Sequence, residues 1–384
     1  MVSACAIKYL RTCSSVFFVF LLLIQAACSN KPAREEYITI GALLPLTGES
    51  SDEGLRAVNG MKLAKEKINE NGGISGKKLD IIVLNDRGDE DYIIQQYNAL
   101  MEKGVVAIIG SSYSGPTIAL AIASEKDGIP VISPTASNPN VTKGRSNVFR
   151  AIFIDDYQAE AMAYFAIHTL KAKNALVLSN RNIESFMQTA NFFTDSFAAY
   201  GGQILAVEPY SSDDEFDFLM KKHKNSPPDV IYCPDDYIPA ARLANAVYDT
   251  GFHNTFVLGS DAWDGLLAYI TNPGAMENAY YSAPFSFDDH DPDVMNFVRD
   301  YLNFFAQIPL SGSATAYSCV YILAEAIKKA GSRDSKAIVQ AIKTNELDLI
   351  TGHIKFDENN NPRPNVYIMQ IKGGVYSSIA KLSL

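Results

Sequence analysis

Three short polar stretches of this chain could do chemistry, and each suits holding a small charged molecule. Ser114-Gly115-Pro116-Thr117 follows an apolar run and reads as a helix start, with proline in the first turn where its missing N–H costs nothing. Such an end leaves backbone N–H groups without intrahelical acceptors and carries a partial positive charge, an arrangement that receives a carboxylate. The plainer alternative is that Ser114 only caps its own helix. Thr135 and Ser137 lie just past the apolar run Pro130–Ser133, and Asn138-Pro139 then makes a turn. Asp261 is a loop acid after another apolar run, either the partner of a cation or the cap of a following helix. Trp263, the single tryptophan, suits an apolar cleft wall or the core equally.

Residue patterns for bond-breaking chemistry are missing. There is no HExxH, GxSxG, P-loop or dinucleotide-binding glycine pattern. Gly72–Lys78 looks superficially like a phosphate loop, but its spacing is short and it follows a helical segment. Asp357, Asn359 and Asn361 begin like a calcium loop, yet Pro362 and Ile368 stand where that loop needs Gly and Glu, so the segment reads as a turn. Asp288-Asp289-His290-Asp291 reads as an exposed acidic loop before a helix, and the five histidines are dispersed. The expectation is a non-enzymatic binding protein with no cofactor and no metal.

The elements that must position these residues follow from hydrophobic period. Ile38–Leu44 is an apolar run ending at Pro45, and Glu53–Asn69 keeps one face apolar through Leu55, Val58, Met61 and Ile68. Asn71-Gly72-Gly73 stops that helix. Strands at Leu79–Leu84, Val105–Gly110 and Pro130–Ser133 alternate with helices at about 91–103 and 116–126. This is the β-α-β pattern of a parallel sheet covered on both faces. A second series follows Phe149-Arg150-Ala151, with helices at 157–170, 186–200, 216–224 and 240–250 and strands at 175–178, 203–207, 230–233 and 255–258. Helices at 292–305, 314–330 and 335–344 then come without intervening strands, so they must cover an existing sheet. Strands at 353–356 and 366–371 close the chain. The fold class expected is α/β, with two doubly wound units and a chain that crosses between them more than once. Ligands of such sheets sit at the carboxyl ends of the strands.

The chain has 384 residues, long enough for two domains, and a net charge of −10. Lys8 and Arg11 are the only charges in the first 27 residues, leaving 31 basic against 43 acidic residues in the rest. An acidic body argues against nucleic acid as a partner. Those two cations precede an apolar run at Val16–Ile24 and then Gln25-Ala26-Ala27-Cys28, the order of an export signal. The run is too short for a permanent span, which takes about 20 residues. The small-small-Cys ending resembles a bacterial lipoprotein box, with Gln25 where that box usually has Leu. The resemblance implies a signal segment over 1–28 that is cut just before Cys28, which becomes the lipidated first residue, a membrane anchor, and a polar tether over 29–37. Ordinary cleavage nearby is the alternative. Cys233 and Cys319 could pair in an oxidising compartment, but two isolated buried thiols are the preferred reading.

Six stretches, in order and spanning nearly all of Ile38 to Leu384, resemble one known family. They are Leu43–Gly48, Ile68–Ile74, Ile109–Ser114, Val131–Pro139, Gly259–Asp264 and Phe356–Asn360. The set resembles the branched-chain amino-acid-binding (leucine/isoleucine/valine-binding) proteins of bacterial ABC importers, which have the type I periplasmic binding fold. The resemblance implies two doubly wound parallel-sheet lobes joined by a hinge, of residues 38–152 plus 285–345 and 153–284 plus 346–384. It implies a monomer that traps a small ligand by closure and passes it to a membrane permease. Ser112, Tyr113 and Ser114 would lie in one ligand loop. The Thr135 carbonyl would accept from an ammonium, Ser137 would help hold a carboxylate, and Asp261 would meet the ammonium from the other lobe. The sequence departs from the family at Glu53 and near Asp236, where an aromatic residue is usual, and at Glu184-Ser185-Phe186, where Tyr-Gly is usual. Those added acids could select a cationic or polar ligand over leucine. A binding-fold lipoprotein repurposed to touch another envelope protein, or a receptor for amides or small organic acids, are the competing readings.

Overall fold

The computed structural model describes residues 37–48 and 51–383. The expected signal, Cys28 and the tether up to residue 36 lie outside the described residues. The first unit runs β1 (Ile38–Leu44), α1 (Ser51–Glu70), β2 (Leu79–Asn85), α2 (Glu90–Glu102), β3 (Ile108–Gly110), α3 (Ser114–Glu125), β4 (Val131–Ser133) and β5 (Val148–Arg150). Its sheet has the order β2-β1-β3-β4-β5 and every pairing is parallel. β1 is buried along almost its whole length, as a strand covered by helices on both faces must be.

The second unit runs α4 (Asp155–His168), β6 (Asn174–Asn180), α5 (Glu184–Ala199), β7 (Gln203–Tyr210), α6 (Phe216–Lys222), β8 (Val230–Tyr232), α7 (Tyr237–Thr250), β9 (Phe256–Gly259) and β10 (Ala279–Ala283). The chain continues through α8 (Pro292–Phe305), α9 (Ser311–Ala330), α10 (Ser335–Lys343), β11 (Glu346–Leu349), β12 (Gly352–Lys355), β13 (Val366–Lys372) and β14 (Val375–Leu382). The second sheet has the order β14-β13-β10-β9-β8-β6-β7. It is parallel from β7 to β10, and then β13 and β14 run antiparallel at its edge. The expected doubly wound sheet is present, and the terminal strands add an antiparallel edge to it. β13 and β14 are joined by a two-glycine turn at Gly373-Gly374, both with positive φ, and so short a connection permits only antiparallel pairing.

Both parallel runs have one topology: the second strand lies to one side of the first and the third to the other. The reversal falls between β1 and β3 in one sheet and between β6 and β8 in the other, so a crevice opens at the carboxyl ends of each. Helices α9 and α10 return to the first lobe, where Ala316, Val320, Leu323 and Ile338 join Ala57, Met61 and Ala64 of α1 in one core. The β11–β12 hairpin goes with them. Ile354 and Phe356 are buried in that same core and Leu347 and Leu349 pack against it, so residues 346–356 side with the first lobe instead of opening the second as expected.

The chain therefore passes between the cores after β5, after β10 and after β12. The turn at 357–361 fastens two of these crossings. Asp357 accepts from the N–H groups of Asn359 and Asn361, and Asn360 donates to the carbonyls of Arg145 and Val148. Asp288 and Asp289 are engaged in the same protein-internal way. They take Ser378, Tyr367 and Lys381 of the terminal hairpin, while Asp291 caps α8. Cys233 and Cys319 are free, buried thiols in separate cores.

Candidate functional site: a cleft with unlike walls

The carboxyl ends of both sheets open into one cavity of about 810 Å³, the size range of small-molecule sites. Glu53, Ser112, Tyr113, Ser114, Thr135, Ser137, Glu184, Asp236 and Asp261 all line it. Trp263 does not, which corrects its candidacy as a cleft wall. It is fully buried, its indole Nε1 donates to the Cys233 carbonyl at 3.0 Å, and its ring fills the space left by Gly259. Glu184 sits exposed at the cleft mouth, where its carboxylate accepts from Gln188 at 2.8 Å.

The first-lobe wall around Ser114 and Thr135 is made of backbone and hydroxyls, with the charged side chains of Glu53, Arg87 and Glu90 further along its lining. Ser114 is the first residue of α3 and Tyr113 precedes it as a cap without a side-chain hydrogen bond, so Ser114 is not the helix cap. Its hydroxyl accepts from the Asn138 N–H at 3.3 Å. The N–H groups of Ser114 and Gly115 stand in the first turn, where no intrahelical acceptor exists. The Glu90 carboxylate lies beside them, close enough that a Cβ on Gly115 would meet its Oε1 at 2.5 Å. Thr135 donates to the Ser112 carbonyl at 2.9 Å, tying the two loops together. The Ser112 hydroxyl is 5% exposed and makes no hydrogen bond within the protein.

Arg150 holds this wall from behind. It is fully buried and donates to the carbonyls of Ala136 at 2.9 Å and Asn138 at 2.8 Å and to the Thr142 hydroxyl at 3.1 Å. Burial pulls its guanidinium down to about 10, against the opposing pull of Asp155, Asp156 and Asp357. The sequence carried a signal for it: one arginine inside Val148-Phe149-Arg150-Ala151-Ile152 must be buried, and so needs acceptors, which its two Nη atoms find while Nε has none in the protein.

The second-lobe wall is made of carboxylates. Gln158 of α4 donates from one amide nitrogen to Asp261 at 2.7 Å and to Asp155 at 2.9 Å. Its oxygen accepts from the Asp261 N–H at 3.1 Å and from Ser282 at 2.7 Å, which fixes the orientation of the amide. Asp155, which the sequence reading passed over, is 3% exposed and lines the cavity. One of its carboxylate oxygens makes no well-formed hydrogen bond within the protein, although the Ser137 and Thr189 hydroxyls stand near enough to favour its ionised form. Burial, then the neighbouring charge of Asp155, pushes Asp261 up to about 8. Burial also pushes Asp236, the cap of α7, up to about 7, although the Tyr237 N–H at 2.8 Å pulls the other way.

The walls touch across the cleft. Arg56 of α1 donates to the Asp264 carbonyl at 3.1 Å, and the Asp264 carboxylate accepts from the Ser311 N–H at 2.6 Å. On the other side Asn138 donates to Gln188 at 3.0 Å. These bonds join loops of one lobe to helices of the other, so they exist only while the cleft is narrow.

Two α/β lobes, crossed three times by the chain and closed on a polar cavity at their switch points, define a solute-binding protein of the type I periplasmic binding fold. The chain belongs to the periplasmic binding protein family, which it matches over residues 37–375. It is 25% identical over 340 residues to the Leu/Ile/Val-binding protein BraC3 of Rhizobium johnstonii, covering 88% of this chain and 92% of that one. Among solved structures, the leucine-binding protein LivK of Thermotoga maritima superposes with a TM-score of 0.83 at 28% identity, covering 90% of this chain and 99% of that one. The isoleucine complex of LivJ from Streptococcus pneumoniae also gives 0.83, at 26% identity, covering 91% and 99%.

Proposed function

We propose that this chain is the extracytoplasmic binding component of an ABC importer and that it captures an amino acid between its lobes. The supporting observation is the pairing of unlike walls on one cavity. An anion finds backbone N–H groups and a helix dipole at Ser114 and Gly115, with Ser112, Thr135 and Ser137 alongside. A cation finds Asp261 and the open oxygen of Asp155. A zwitterion satisfies both at once, whereas a simple organic acid leaves Asp261 buried with no cation facing it and adds its own charge to the pair. Binding favours the narrow cleft because the two grips belong to different lobes, and that difference in affinity drives closure.

The lobes of this reading are residues 38–152 with 285–356, and 153–284 with the terminal hairpin. The protein acts as a monomer, tethered through a lipidated Cys28, and delivers its ligand to a membrane permease. A thermal-shift screen of the mature chain against amino acids, amides and small organic acids tests the capture. Amino acids should raise the melting point, because a ligand selective for the folded state stabilises it. A response to acids or amides alone would transfer the cleft to another ligand class, and no response to any of them would favour a repurposed interaction module. Labelling with a radioactive fatty acid, lost in Cys28→Ala, tests the anchor.

A further inference from the structure

Beyond the Asp155–Asp261 pair the same acidic surface continues. Glu53 lies within electrostatic reach of Asp261, Asp236 and Asp264. The cationic side chain facing this group is Arg56, whose Nη1 stands 3.4 Å from Glu53 and donates also to the Asp264 carbonyl at 3.1 Å. Opposite Glu53 the wall is bare backbone: a Cβ on Gly312 would meet the Glu53 carboxylate at 2.2 Å, so the absent side chain is what lets that carboxylate lie there. A lone acidic cluster could be a solvated accident. Here the cluster lines the interlobe cavity together with Asp155, whose open carboxylate oxygen is buried with the residue 3% exposed.

An α-ammonium engaging Asp155 and Asp261 leaves Glu53 and Asp236 with Arg56 as their shared counter-charge. An aliphatic side chain pressed against them would strip their water and return nothing, which is unfavourable for any ionised group. An amine or guanidine would replace that water with charge-assisted hydrogen bonds. The burial that pushes Asp236 up to about 7 points the same way, since a facing cation would relieve it.

We propose that the ligand is an amino acid with a cationic side chain, whose distal amine or guanidine lies between Glu53 and Asp236. The inference rests on the amino-acid reading above and narrows it. Isothermal titration of the mature chain with arginine, lysine, ornithine and leucine tests both and separates them. At least one basic amino acid should bind tenfold or more tightly than leucine, and Glu53→Gln and Asp236→Asn should each lower that ratio about tenfold. Leucine binding as tightly as the basic amino acids, or a ratio unmoved in both variants, overturns the inference while amino-acid capture stands. Failure of all four ligands removes the reading beneath it. If neither variant folds, the ratio measured on the unaltered chain decides.

Discussion

The two walls of the cleft meet opposite charges by different means. Around Ser114 the first-lobe wall offers an anion helix N–H groups and hydroxyls, braced by Arg150 from behind, with Arg87 also in the cavity lining. The second-lobe wall presents two buried acids, Asp155 and Asp261, bridged by a single Gln158 amide. The first wall is comfortable when empty, because backbone N–H groups can face water without penalty. The second is strained when empty, because two buried acids repel each other. Binding energy is therefore stored unevenly, and the acidic wall should dominate affinity and set its response to pH.

The largest effect should come from Asp261→Asn. Losing one member of a buried charge pair costs about 2–5 kcal/mol, so amino-acid affinity measured by calorimetry should fall at least thirtyfold. The same substitution should raise the ligand-free melting temperature above pH 8, where Asp261 is ionised, and change it little near neutral pH. Unchanged affinity would mean that the acidic wall does not hold the ligand. Arg150→Met comes next. It strips donors from the Ala136 and Asn138 carbonyls and the Thr142 hydroxyl, at about 1–3 kcal/mol for each buried group left unpaired. The melting temperature should drop by several degrees, at about 2–4 °C per kcal/mol for domains of 150–250 residues. Retained stability would show that the loop needs no brace.

The pH response sharpens the comparison. Asp261 stands at about 8 in the free protein, facing Asp155, Glu53, Gln158 and Tyr232. An ammonium binds the ionised form, so binding near neutral pH should release a proton and affinity should weaken as pH falls from 8 towards 6. The effect approaches tenfold per pH unit for one coupled proton. For the ligand-free fold the sign is opposite: an acid whose folded value is raised from 3.8 contributes most at low pH, and that contribution is lost as pH rises towards about 8. Calorimetry in two buffers of different ionisation enthalpy counts the released protons, and an equal heat in both would count none. The smallest effect belongs to the first wall. Ser114→Ala removes a hydroxyl but no helix N–H, so affinity should fall only about fivefold, on the order of 1 kcal/mol. A loss as large as that of Asp261→Asn would erase the contrast between the walls.

Much of this was legible in the chain because period and punctuation are local. The α8 boundaries match their expected residues, with Pro292 at the start and Asp291 before it. Ser112, Ser114, Thr135, Ser137 and Asp261 reach the cleft because each follows a parallel strand, and strand ends are readable from apolar runs. Strand β5 was not read as a strand, since Arg150 interrupts its apolar run, and β10, β11 and β14 were not read either. Asp155 was hidden at the start of α4, where an acid reads as ordinary helix-end chemistry. Trp263 could not be assigned from its type, because a lone aromatic serves a core or a cleft equally well.

The sequence by itself determined most of the alternation of strands and helices, the acidic character of the body and the loops that end the strands it marked, all of which depend on neighbours in the chain. Tertiary structure alone decided that Gln158 would bridge Asp155 and Asp261, that Gly312 would make room for Glu53, and that the β11–β12 hairpin would side with the first lobe. Each of those outcomes depends on which surfaces meet, with partners about 100 residues apart or more in the first two, and the distance between such residues is set by packing and not by spacing along the chain.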